Sequence, residues 1–158
     1  MPEPQTLILL VVEDDPGHAR LIEKNLRRSS VTCEIVKLTD GQQVLEYLSA
    51  NGKAAESAGV VVLLDLNMPG LSGYQVLQRL KAHERTRSIP VVVLTTTDDA
   101  GEIKRCYDLG CNAYVIKPVD YEQFSEMIHR LGLFLTIVRT PEGYTRGTQG
   151  DVNITGQG

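Results

Sequence analysis

Five side chains hold most of the chemistry this chain can do, and each comes directly after a short aliphatic run. Glu13 and Asp14 follow residues 7–12, Asp65 follows 60–64, Thr95 follows 91–94 and Lys117 follows 113–116. If those runs are neighbouring parallel strands, their carboxyl ends share one edge of a sheet. Glu13, Asp14 and Asp65 then converge within a few ångströms, with Thr95 and Lys117 nearby. Three carboxylates in one crevice repel one another and coexist only with positive charge among them. A hard divalent cation with oxygen ligands fits. Mg2+ fits best, because it takes few protein carboxylates and keeps several waters. Lys117 supplies a second positive group. A carboxylate flanked by Mg2+, an ammonium and a hydroxyl suits phosphoryl transfer, where catalysis is mostly positioning and charge neutralisation. Asp65 is the central carboxylate and can act as the nucleophile, forming an aspartyl phosphate. The competing reading, that acidic residues at strand ends are solvated caps, fits Asp15 best, because Pro16 follows it.

The elements that must position these groups are legible in the pattern. Aliphatic runs recur at 7–12, 33–37, 60–64, 91–94 and 113–116, and runs this short and continuous suit strands buried on both faces. Helical spacing fills the intervals. Leu21, Ile22, Asn25 and Leu26 follow the Asp15 cap, and Val44, Leu45 and Leu48 follow Asp40. Val76, Leu77 and Leu80 follow Ser72. Ile103, Tyr107 and Leu109 follow the Asp98-Asp99 pair and stop at Gly110. Asp120 with Gln123 resembles a capping box opening a last helix through Phe124, Met127, Ile128, Leu131 and Phe134. The alternation predicts an α/β fold, a (βα)5 doubly wound parallel sheet with right-handed crossovers. Periodicity alone leaves two common strand orders open.

Composition bounds the rest. The chain has 158 residues, 42% of them hydrophobic, which suits one domain with a single core. A net charge of −4 argues against a nucleic-acid partner, which would want basic patches. The longest aliphatic run has six residues, whereas a membrane span needs about 20. Met1-Pro2-Glu3-Pro4 is no secretory signal, so the expectation is a cytoplasmic protein without a membrane partner. Cys33, Cys106 and Cys111 have no metal-ligand spacing and read as buried free thiols. Residues 1–138 read as the folded domain. Residues 139–158 hold five glycines and only three valine, isoleucine or tyrosine residues, and read as a polar, Gly-rich, disordered tail. That leaves no expected room for an output domain.

The segments Leu10-Val11-Val12-Glu13-Asp14-Asp15-Pro16, Leu63-Leu64-Asp65-Leu66-Asn67-Met68-Pro69-Gly70, residues 90–96 and Tyr114-Val115-Ile116-Lys117-Pro118 together resemble the receiver domain of two-component response regulators. The likeness runs from about Leu7 to about Leu135, in order. It implies a flavodoxin-like strand order 2-1-3-4-5 and a phosphoacceptor signalling protein rather than an enzyme, served by a sensor histidine kinase. It makes Asp65 the phosphoacceptor and Glu13 with Asp14 the acidic pair, Asp14 being the more direct Mg2+ ligand. Asn67 would lend the metal its backbone carbonyl. Thr95 would be the switch hydroxyl and Lys117 the partner of the phosphoryl oxygens, with a cis bond to Pro118. Tyr114 would be the aromatic that turns between outward and inward positions, unless it is an ordinary amphipathic strand residue.

A narrower resemblance is to the stand-alone regulators that partner phytochrome-type histidine kinases, bacteriophytochromes included. That group dimerises through the fourth helix, the fifth strand, the fifth helix and the chain end. Six of the eight residues 131–138 are apolar, more than one helix face on a core requires. Leu131, Phe134, Leu135 and Val138 are therefore the dimer candidates; the alternative is a helix end packed back on its own domain. The rival function is a Mg2+-dependent aspartyl-phosphate phosphatase of haloacid-dehalogenase-like type. It would want a second aspartate two residues after the nucleophile, and Asn67 stands there. His18, His83 and His129 are read as scattered surface histidines. Arg79, Lys81, Arg85 and Arg87 are read as a solvated helix end.

Overall fold

The runs at 7–12, 60–64, 91–94 and 113–116 form strands because nothing in them supplies the polar face a surface helix needs, whereas the run at 33–37 carries exposed Glu34 and Lys37 and forms an edge strand, not one buried on both faces. The computed structural model describes residues 7–29, 33–50 and 59–135. Within them five strands alternate with five helices: β1 Leu7–Val12, α1 Pro16–Arg28, β2 Cys33–Leu38, α2 Gly41–Ala50, β3 Val60–Asp65, α3 Gly73–Ala82, β4 Val91–Thr95, α4 Ala100–Asp108, β5 Ala113–Ile116 and α5 Tyr121–Leu135. All strand pairs are parallel, in the order β2-β1-β3-β4-β5. The order reverses between β1 and β3, and a doubly wound sheet opens its ligand crevice at that switch point. Strands β2, β3 and β4 each run one residue further than the aliphatic pattern suggests. Asp65 and Thr95 are therefore the last rungs of their ladders, opposite Leu94 and Ile116 respectively.

Alternate strand residues feed two cores, as the two-residue period requires. Leu10, Val12, Val62, Leu64 and Val93 pack on one side with Val44, Val76, Leu77, Leu80 and Cys106, from α2, α3 and α4. Leu9, Val11, Leu63 and Leu94 pack on the other with Ile22, Leu26, Phe124, Ile128 and Leu135, from α1 and α5. Asp15, Ser72 and Asp99 cap α1, α3 and α4, and Ser72 with Gln75 completes a capping box. The Asp40 carboxylate accepts from the Gln43 N–H at the start of α2. At α5 the expected box is not formed: the Asp120 carboxylate accepts from the Glu122 N–H. An aspartate side chain is short enough to accept from the second amide in place of the third.

Helix α4 ends on Gly110 at φ +106°, a backbone conformation that favours glycine. The Gly110 N–H reaches the Tyr107 carbonyl and the Cys111 N–H the Cys106 carbonyl. That turn brings Cys106 and Cys111 into the core as buried free thiols; the third thiol, Cys33, is half-buried. No helix among the described residues is long and apolar enough to cross a membrane. Val138, the 139–158 segment and most of the 51–59 loop lie outside the described residues.

Candidate functional site

Strands β1 and β3 are hydrogen-bonded neighbours with Val12 opposite Leu64. Glu13, one residue past β1, and Asp65, the last of β3, are therefore presented at the same height. The carboxylate oxygens of Glu13, Asp14 and Asp65 lie within 4.8 Å of one another. Glu13 is 3% exposed and Asp65 7%, while Asp14 faces solvent. Helix α3 starts hard against this edge. A Cβ on Gly73 would meet the Asp65 carbonyl oxygen and the Leu66 Cα at 2.6 Å, so only glycine fits there.

Lys117, just past β5, is 4% exposed and reaches across the strand ends. Its ammonium donates to Glu13 Oε1 and lies 3.4 Å from Asp65 Oδ2. The other Asp65 oxygen accepts from the Asn67 backbone N–H at 3.1 Å. One buried cation thus serves two buried carboxylates and a third carboxylate stands beside them. The Glu13 carboxyl responds: burial first, and then the neighbouring Asp65, push it up from 4.5 to about 7 against the pull of Lys117. An all-oxygen donor set with surplus negative charge is what a hard divalent cation takes, so these residues fit such a cation.

Thr95 is fully buried at the end of β4, and its hydroxyl accepts from the Asn67 side-chain amide at 3.4 Å. Tyr114 of β5 pairs with Val93 in the ladder and is half-buried. Burial holds its phenol up at about 12, and the hydroxyl donates to the Thr97 carbonyl at 2.9 Å. Tyr114 is thereby tied to the loop that carries on from Thr95. The Lys117–Pro118 bond is trans, contrary to the cis bond the family likeness implies. Trans is the lower-energy isomer of an X–Pro bond by about 0.5–1 kcal/mol.

The dimer candidates separate. Leu135 is 4% exposed within the core under α5, and Leu131 packs half-buried against the same core. The residues at 124, 128, 131 and 135 form one helical stripe, and that stripe faces the sheet. Leu135 is thus corrected from interface candidate to core residue. Phe134 stands 58% exposed off the stripe. Of the basic residues, Lys81 is a clamp rather than a solvated end: its ammonium donates to the carbonyls of Arg87 and Ile89, at 3.1 and 2.7 Å.

One residue at the site was missed from sequence. His18, in the first turn of α1, places Nδ1 3.5 Å from the Lys117 ammonium and 3.8 Å from Glu13 Oε1. Its ring lies tilted against Phe124, with centroids 5.2 Å apart. The signal was available, since the first turn of a helix that follows a strand lies at the strand's carboxyl edge.

Residues 9–129 match the response regulator receiver domain family. A receiver domain from Rhodospirillum rubrum is 49% identical, with a TM-score of 0.80 over 86% of this chain and 98% of that one. Response regulator Rcp1 of Synechocystis, in its Mn2+-bound form, is 31% identical, with a TM-score of 0.75 over 85% of this chain and 98% of that one. The phosphorylated cyanobacterial phytochrome response regulator RcpA is 34% identical, with a TM-score of 0.75 over 87% and 99%. The family match runs from within β1 to beyond β5 and so covers every residue of the acidic crevice, and this chain belongs to the response regulator receiver domain family of two-component signalling, with phytochrome response regulators among its relatives.

Proposed function

We propose that Asp65 accepts a phosphoryl group from a phosphohistidine of a sensor histidine kinase. The observation that carries this is the meeting of three carboxylates within 4.8 Å beside a buried lysine. In the transfer an Asp65 carboxylate oxygen attacks phosphorus. The phosphorus–nitrogen bond to the kinase histidine breaks, and its electron pair returns to the imidazole. Glu13, Asp14, Asp65 and the Asn67 carbonyl would hold Mg2+, which neutralises charge on the phosphoryl oxygens when bound. Lys117 balances the negative charge that Asp65 gains, and the Asn67 N–H keeps Asp65 oriented.

The switch follows from the same contacts. A new dianion on Asp65 attracts the Thr95 hydroxyl away from Asn67, and the loop that follows Thr95 moves with it. That motion breaks the Tyr114–Thr97 bond and frees Tyr114 to turn. The altered surface of α4, β5 and α5 is the output, through protein binding or dimerisation. Among the dimer candidates that lie within the described residues, Phe134 is the exposed one. The likeness to RcpA supports a phytochrome-type kinase as the donor.

The test is incubation with acetyl phosphate and Mg2+, where Asp65 takes the phosphoryl group and acetate leaves with the electron pair. An acid-stable, base-labile adduct is expected in the wild type and absent in Asp65→Asn. An unmodified wild type, or equal modification of both, overturns the proposal. A phytochrome-type kinase should load Asp65 faster than an unrelated kinase.

A further inference from the structure

The acidic crevice and its lysine do not require an imidazole, yet one is built against them. His18 Nδ1 is 3.5 Å from the Lys117 ammonium, closer than to Glu13 Oε1 at 3.8 Å or Asp15 Oδ2 at 4.0 Å. An ammonium only donates, so a hydrogen bond across this contact requires the His18 tautomer with the lone pair on Nδ1 and the proton on Nε2. The residue is held at its backbone and at its ring. The His18 backbone N–H donates to the Asp15 cap at 3.1 Å, and the ring packs on Phe124 at an interplanar angle of 54°. Phe124 is 3% exposed and its own ring lies 6.0 Å from the Lys117 ammonium. The ammonium thus has the carboxylates of Glu13 and Asp65, an imidazole from α1 and a phenyl ring from α5 around it.

We propose that His18 is a positioning residue for Lys117, an inference that rests on reading Asp65 as the phosphoacceptor. Its Nδ1 accepts one ammonium N–H without adding charge, which leaves two N–H groups directed at Glu13 and Asp65. During transfer Lys117 must shift its weight from Glu13 to the phosphoryl oxygens. A neutral third acceptor on the α1 side keeps the head group at the crevice while it does so. A carboxylate at position 18 would compete for the ammonium, and an aliphatic side chain would leave it free to turn away.

Side-chain replacements separate the nitrogen from the ring. His18→Phe keeps a ring against Phe124 and removes the acceptor. His18→Asn puts an amide oxygen near the place of Nδ1, and His18→Gln puts one near Nε2. Initial rates of Asp65 modification are measured against acetyl phosphate concentration at saturating Mg2+, with thermal melting to check folding. His18→Phe should slow the rate constant roughly five- to tenfold, the scale of one modest hydrogen bond. His18→Asn should restore most of the loss and His18→Gln should not. Wild-type rates in His18→Phe, or Asn no better than Phe, overturn the proposal.

A second measurement is independent of phosphoryl transfer. In protein with 15N-labelled lysine, the Lys117 ammonium protons should exchange slowly in wild type and His18→Asn and rapidly in His18→Phe. Equal exchange in all three overturns the proposal even if Asp65 is modified. A wild type that acetyl phosphate leaves unmodified refutes the reading of Asp65, and the exchange data then decide the role of His18 separately.

Discussion

Raising the pH of the protein in EDTA should lower its stability, because the fold holds a proton on Glu13 that the unfolded chain gives up. The Glu13 carboxyl titrates near 4.5 when unfolded and at about 7 in the folded chain. Between those values the native state binds more protons than the unfolded state, so stability falls as pH rises and levels off above about 7. A rise of that size corresponds to ~3 kcal/mol. For a chain of this length that is a drop of roughly 10 °C in melting temperature. The assay is thermal unfolding between pH 5 and 8 in EDTA, with Glu13→Gln as the reference, since glutamine has no proton to lose. The wild type should lose stability relative to the variant across that window. Saturating Mg2+ should abolish the difference in slope, because a cation replaces the proton as compensation for the buried charge. Parallel pH profiles for the two proteins in EDTA, or a wild type that gains on the variant as pH rises, would mean that folding does not raise the Glu13 carboxyl.

Three further outcomes follow from the same geometry. Lys117→Met leaves Glu13 and Asp65 buried without their cation, so urea unfolding in EDTA should show a loss of about 3 kcal/mol, smaller when Mg2+ is present. Gly73→Ala forces a methyl into the Asp65 carbonyl and the Leu66 backbone; it should cost about 1–3 kcal/mol and slow Asp65 modification by acetyl phosphate. Phe134→Asp should leave the melting temperature nearly unchanged and weaken any dimer seen by light scattering, whereas Leu135→Asp should unfold the protein, because Leu135 lies in the core.

Much of the molecule was legible before any coordinates. The aliphatic runs of β1, β3 and β4 could be read because strands buried on both faces have no polar residues to blur them. Helix starts could be read at Asp15, Asp40, Ser72 and Asp99 because short side chains with an acceptor oxygen are selected there by the free backbone amides. The candidate site residues were legible for a related reason: in a parallel sheet, whatever follows each strand is delivered to one edge. The strand order was open to periodicity and entered through the family likeness. The helix end was misjudged because an apolar count over 131–138 says nothing of direction. Leu135 lies on the stripe that starts at Phe124, so it turns inward while Phe134 turns out.

Strand polarity and helix caps are local properties of the chain, so the order of residues already dictates which groups reach the carboxyl edge of the sheet and what chemistry they can support. Tertiary structure alone decided how those groups share one another. It assigned a single buried ammonium to Glu13 and Asp65, set the Glu13 carboxyl at about 7, and brought His18 and Phe124 against Lys117 from the first and last helices of the fold. Such sharing depends on distances of a few ångströms between separate elements, and charge, burial and hydrogen bonding all vary steeply over that range.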